Sequence, residues 1–369
     1  GWLAWVLTDS PSFVGLVAFL NFVPTLFVSP LFGVVADRID VRIGSIISYG
    51  CAGIATALFA WICLAGAQTP LLLAGFSFLT GIISSANHPM RMSLTPRLAP
   101  PDHLSSVVAL TALNFNLSRL IGPAVGGAMI NILGAAHSLM LTALCYGVPV
   151  VALCFMRPRD RARDTAPPPD SYFGALFAGW AYALRLPLVR TALVFSGIGA
   201  LAGRSVLETL PLLANGLFER GPAGLGFMTA AAGAGAAGAA IFKAMSAAQM
   251  PGVFQTQVVV TLLLVPLLVA GLGLVNNFHV ATGIVMLLGG GVTLLGVSLQ
   301  ALVQMAINDH FRGRVMGLWT MVSIGSGAFG AVIMGVLTDQ AGVAPAQAMI
   351  GLLLAGLAIF MVMRFRSPG

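Results

Sequence analysis

The sequence predicts an all-α membrane protein built as two six-helix bundles, with the first helix truncated in this chain. Three observations lead there. Of the 369 residues, 58% are hydrophobic and only 8% charged, where a soluble domain carries about 25% charged residues. Apolar runs of membrane length, about 20 residues each, follow one another along the whole chain. The two halves of the chain also repeat each other.

The chain opens with Gly1, and its first turn arrives at Thr8-Asp9-Ser10-Pro11. The expectation is that it starts inside its first membrane helix. Complete spans are then expected at 13–36, 44–66, 70–92, 105–133 and 137–156. The second half gives 188–213, 223–248, 253–274, 279–306, 314–338 and 344–364. With the remnant, that makes twelve helices in the intact protein. The expected units are 1–156, 157–187 and 188–369. The middle unit opens as RPRDRARDTAPPPD, a charged, Pro-rich linker that water should solvate. Tyr172, Phe173, Trp180 and Tyr182 follow in SYFGALFAGWAYALRLP. This stretch reads either as a helix lying among headgroups or as a stub before the seventh span.

A net charge of +7 need not mean nucleic acid, because membrane proteins concentrate basic residues on the cytoplasmic side. With the 33–44 turn placed inside, fifteen of the eighteen basic residues fall there; Arg220 falls outside, and Arg119 and Arg204 lie within spans. The linker and the C-terminus are then cytoplasmic. Cys51, Cys63, Cys145 and Cys154 sit in apolar runs without metal-ligand spacing. His88, His103, His137, His279 and His310 pair with no cysteine or acid at such spacing. No metal site, cofactor or nucleotide loop is expected. No nucleophile–base constellation suggests an enzyme.

The repeat has a definite offset. SPSFVG at 10–15 parallels GPAGLG at 221–226, 211 residues on. Val107, Leu110, Gly122, Gly127 and Gly134 fall on Val315, Leu318, Gly330, Gly335 and Gly342, 208 residues on. Two parallel six-helix halves are one repeat arrangement of secondary transporters.

Two motifs sharpen the reading. Residues 33–44 read GVVADRIDVRIG, a Gly-x-x-x-Asp-Arg-x-x-x-Arg turn between two apolar runs. Residues 118–127 read SRLIGPAVGG. Gly122, Gly126 and Gly127 should let another helix approach closely, and Pro123 should bend the span. The first motif resembles the loop between the second and third helices of the major facilitator superfamily. The second resembles that superfamily's antiporter motif, with Ser118 in place of the first glycine. WLAWVLTDSPSFVGLVAFLNFVPTLFVSPLFGVVADR and DHFRGRVMGLW extend the resemblance along the chain. They look like the bacterial branch labelled a transmembrane secretion effector family, which contains the enterobactin exporter.

The resemblance implies a multi-pass protein of the bacterial inner membrane that exports siderophores, drugs or other amphipathic small molecules in exchange for protons. It also implies a cytoplasmic latch. Gly33, Asp37, Arg38 and Arg42 would meet the eleventh span's start, with Asp309 or Asp102 as possible acidic partners. The alternative is a solvated turn that only sets topology. The equivalent loop of the second half, FKAMSAAQMPG, has no acid. The Arg-x-x-Gln-Gly motif tied elsewhere in the superfamily to proton transfer is absent from LLLAGFSFLTG. That shifts weight to Arg204 and Glu208, an i,i+4 pair on one helix face.

Asn21, Asn114, Asn116 and Arg119 would line a central cavity, since a mid-membrane arginine needs a partner or water. Bases outnumber acids in that set, which points to neutral or anionic solutes. The expected partners are the solute, protons and lipid, with the protein a monomer. A lipid-flipping facilitator and a non-transporting membrane sensor or assembly protein are the other readings.

Overall fold

A computed structural model of the chain describes residues 1–94, 104–156, 180–245, 251–308 and 311–366. Among them, every regular element is helical. We number the helices α1 (Trp2–Thr8), α2 (Pro11–Arg38), α3 (Val41–Leu64), α4 (Pro70–Leu94) and α5 (Leu104–Phe155). The broken segment 187–217 is α6. Then come α7 (Gly221–Met245), α8 (Pro251–Leu272), α9 (Phe278–Ala306), α10 (Arg312–Ala341) and α11 (Val343–Arg366). Each expected span maps onto one of these. Spans 105–133 and 137–156 share α5, which Gly134 interrupts with φ 79° and ψ 167°. Eight stretches among the described residues are long and apolar enough to cross a bilayer.

The helices wear their bulk outside. On α3, Ile43, Ile47, Ile54, Leu58 and Trp61 are exposed, while Ser45, Ser48, Ala52, Ala55 and Thr56 are buried. Lipid is as apolar as a side chain, so small residues gain more from the helix interface than large ones do. Two of the three buried hydroxyls find partners on their own helix, while Ser48 donates to the Ile83 carbonyl of α4 at 3.4 Å. Ser45 donates to the Val41 carbonyl and Thr56 to the Ala52 carbonyl, both at 2.7 Å. Such pairing is required where no water can serve.

The turn at 33–44 spends two of its charges locally. The Asp40 carboxylate caps α3, accepting from the Arg42 N–H at 2.8 Å. The Arg42 guanidinium donates to the Leu153 and Cys154 carbonyls at 2.7 and 2.5 Å. It therefore closes the C-terminal end of α5, where carbonyls lack helical donors. Arg42 is thereby engaged inside its own half; Asp102 and Asp309, the acidic partners expected for the latch, lie outside the described residues.

Tyr182 stacks on Phe311 at 4.4 Å between ring centroids. Its hydroxyl accepts the Asn308 N–H at 3.3 Å. This fastens residues 180–185 to the entry of α10. Tyr172 and Phe173 lie outside the described residues.

The halves meet along two seams, α2 against α10 and α5 against α7. Both are backbone contacts. A methyl group added at Gly335 would come within 2.5 Å of the Pro11 carbonyl oxygen, and one at Gly127 within 2.9 Å of the Pro222 oxygen. Gly127 and Gly335 are 208 apart and Pro11 and Pro222 are 211 apart, so the two seams are the same contact made twice. The repeat holds inside each half too. A methyl at Gly81 would lie 2.3 Å from the Asn21 oxygen, and one at Gly289 would lie 2.2 Å from the Ala232 oxygen. Gly342 repeats the turn at Gly134, with φ 85° and ψ 166°. Glycine is required at both, because other residues avoid positive φ.

Of the three glycines in residues 118–127, only Gly127 makes a close approach among the described residues. A methyl at Gly122 or Gly126 would meet nothing within 4 Å. These two glycines border a cavity instead of a helix, which corrects the three-glycine packing face expected from the motif. Valine at Gly127 or at Gly335 should each destabilise the protein by about 1–3 kcal/mol, the usual range for overpacking. Alanine at Gly126 should be near neutral. Thermal unfolding in detergent checks both.

Candidate functional site

The site begins with a helix that cannot stay regular. Pro211 lies within the seventh span and lacks the N–H that would bond the Leu207 carbonyl. Thr209 leaves helical geometry, with φ −107° and ψ 20°. π-helical turns run on either side, at Ala200–Arg204 and Leu212–Leu217. Such turns are rare and gather at functional sites. Between them is a single α-turn, Ser205–Glu208. The break is supported on its far side by α9, whose Leu295 and Val292 side chains pack directly against Gly199 and Gly203.

Arg204 and Glu208 stand on one face of this turn, as their spacing requires. Arg204 Nε lies 3.6 Å from Glu208 Oε1, with the side chains 33% and 27% exposed. That separation is an ion pair but too long for a hydrogen bond, and Nε has no hydrogen-bond partner. The guanidinium sits over the Phe22 ring of α2, 5.0 Å from its centroid. Its aliphatic stem fills the space left by Gly327 of α10, where a methyl would lie 2.5 Å from Arg204 Cδ. Arg204 therefore spans from α6 to a helix of the other half. Neither Phe22 nor Gly327 was marked as a site residue by the sequence, because each is an ordinary apolar or small position within its run.

Glu208 borders a cavity of about 700 Å³ enclosed mainly by α2 to α5. Its wall is apolar, including Phe22, Phe59 and Phe76, with polar points at Asn21, Ser77, Thr80 and Thr142. Gly1 and Trp2 form part of it. Phe59 and Phe76 stack at 4.3 Å and make one flat side. The Asn21 amide donates to Thr80 Oγ1 at 3.2 Å and to the Ser77 carbonyl at 3.4 Å. Asn21 thus borders this cavity and also binds α2 to α4.

The other expected lining residues divide. Asn114 is exposed and does not border this cavity. The side chains of Asn116, Arg119 and Pro123 lie outside the described residues, as do those of Gly33, Asp37 and Arg38 and the whole of Asp309. Ser118 is exposed. Among the described lining side chains the charged group is a carboxylate, Glu208, and no base. Arg204 lies with its guanidinium over Phe22, one of the wall residues, and the side chain of Arg119, the other base expected in the lining, lies outside the described residues. Chemically, the arrangement is an apolar chamber with a few hydrogen-bonding points.

Comparison with known proteins places this geometry. Residues 1–368 match the family model described as transmembrane secretion effector. The multidrug efflux pump Tap of Mycobacterium tuberculosis (strain H37Rv) is 25% identical over 353 residues, which cover 92% of this chain and 82% of the pump. The enterobactin exporter EntS of Escherichia coli O1:K1 is 26% identical over 378 residues, which cover 99% of this chain and 84% of the exporter. A crystal structure of the nucleoside transporter NupG superposes with a TM-score of 0.69 at 13% identity, covering 99% of this chain and 95% of NupG. At that identity the likeness concerns the fold, which is the all-α fold of the major facilitator superfamily. The chain belongs to the transmembrane secretion effector family of that superfamily, a family of multi-pass membrane transporters.

Proposed function

We propose that the protein exports a small amphipathic solute, siderophore- or drug-like, by alternating access, in exchange for protons. One observation carries the reading: Glu208 stands on an irregular turn, at the wall of a largely apolar chamber, 3.6 Å from an arginine that reaches the other half. A carboxylate so placed can exchange a proton for its arginine partner when the halves move. The relatives named as efflux pump and exporter support the outward direction.

The units on this reading are a first bundle, 1–156, a linker, 157–187, and a second bundle, 188–369, that rock about the glycine seams. The linker and the C-terminus face the cytoplasm of a bacterial cell, and the chain works as a monomer in the inner membrane. Gly33, Asp37 and Arg38 form the cytoplasmic latch against the start of α10, near Asp309. Arg42 supports that latch indirectly, by fixing the first turn of α3 to the end of α5. Asn21 offers the solute hydrogen bonds from a position that does not move relative to α4. Asn116 and Arg119 complete the polar side of the path.

Two outcomes are expected in proteoliposomes. With an imposed pH gradient, at least one member of a panel of siderophores, cationic and neutral drugs, and lysolipids is moved in a gradient-dependent way. Failure with the whole panel would count against export of this class, and movement of lysolipids alone would favour lipid translocation. The Glu208→Gln variant should still bind the transported solute while its transport loses its dependence on the gradient. Gradient dependence that survives this change would remove Glu208 from coupling.

A further inference from the structure

The α2–α10 seam carries a polar contact at the end away from the 33–44 turn. The Ser12 backbone N–H donates to Asp339 Oδ2 at 3.0 Å, and the Ser12 hydroxyl donates to the same oxygen. Ser12 is the second residue of α2 and Asp339 stands in the last turn of α10. The carboxylate therefore accepts one of the N–H groups that a helix start leaves without an internal partner. It also sits at the positive end of the α2 dipole. One turn earlier on α10, Gly335 rests against the Pro11 oxygen and the Ser12 Cα. That close approach puts the carboxylate in reach.

The contact crosses from one half of the protein to the other, and it is one-sided. At the equivalent place on the α5–α7 seam, the repeat puts Asn131 where Asp339 is and Ala223 where Ser12 is. Neither a carboxylate nor a hydroxyl is available there. The α2–α10 pair is antiparallel, and Asp37 occupies the last turn of α2 at the opposite end, where α10 begins at Arg312. Each helix of the pair thus carries an acid in its last turn, at the end where its partner begins.

We infer that Asp339 is a gating residue of the transport cycle, the lock that holds the two halves together at the face opposite the 33–44 turn. On the proposed orientation that face is the outer one, and the inference rests on alternating access as proposed above. Rocking the halves open at this face pulls Asp339 off the α2 N-terminus, and the same motion closes the other end of the pair. The acid with its hydroxyl partner on one seam only makes this helix pair, rather than α5–α7, the one that sets which face is open.

The test uses the full chain with its four cysteines replaced by serine and one cysteine introduced by Ala18→Cys, a cavity position. A membrane-impermeant maleimide is applied from the outside. Asp339→Ala should raise the labelling rate about two- to fivefold, the range expected for a carboxylate at an exposed helix start. Asp339→Asn, which keeps the shape and loses the charge, should raise it less. Gln340→Ala, on the same turn, should leave it unchanged. Equal labelling in all four proteins would overturn the lock, and so would an equal rise in the Gln340→Ala control.

A second arm separates this inference from the function beneath it. In a Ser12→Cys/Asp339→Cys protein, oxidation should stop solute movement and a reductant should restore it. Unimpaired transport by the cross-linked protein would sink alternating access across this seam, whatever the labelling shows. A block by the cross-link with no labelling change in Asp339→Ala would leave alternating access standing and remove Asp339 as its lock.

Discussion

Everything in this molecule hangs on bare backbone meeting bare backbone across its middle. Gly127 on Pro222 and Gly335 on Pro11 bring helices of opposite halves to a distance that no side chain permits. In water such a seam would gain from burying apolar area, but lipid offers no comparable drive, and close packing must supply the attraction. The glycines supply it by letting backbone atoms touch. Phe19 on Phe329, at 5.2 Å, and Leu26 beside Gly325 continue the α2–α10 seam along the helix pair. With the seams fixed, the remaining helices have determined positions. α4 is tied to α2 through Asn21, and α9 is held to α7 through Gly289.

The irregular seventh span is intelligible against that regular frame. A helix in lipid must satisfy its own backbone groups, and Pro211 forbids the simplest way of doing so. The chain responds with π turns on both sides and with hydroxyls that bond back to the helix: Ser205 to Leu201 and Thr209 to Ser205. Arg204 ends the first π turn and Glu208 ends the α-turn that follows it, so both charges of the site stand at the irregularity. The irregularity and the chemistry have one origin, a proline four residues beyond Leu207 and three beyond Glu208.

Most of the architecture was legible in the residues. Apolar length marked the spans to within a few positions, because lipid thickness leaves a helix little freedom. The repeat was legible because the backbone demands it. Gly134 and Gly342 adopt the same left-handed turn, and no other residue would do there as cheaply. Arg204 and Glu208 were legible as a pair from their spacing on one helix. What the guanidinium reaches for was not, since Phe22 is nearly two hundred positions away and looks like any other apolar residue of α2. The Arg42 donation to the end of α5 was hidden for the same reason. Turn motifs announce charge but not its direction. Asp339 lay unnoticed in an apolar span's last turn, because its partner is a main-chain N–H, which no sequence pattern advertises.

A seam made of backbone has a mechanical consequence. Interlocked side chains must change rotamer before two helices can part, and each such change adds a barrier. Gly127 and Gly335 present nothing that must rotate. On the alternating access proposed above, the halves would part at these points with little internal friction and come back to a register that the backbone shape helps to define. On that reading, speed of rocking and fidelity of return, usually in conflict in a packed protein, would come from the same few glycines.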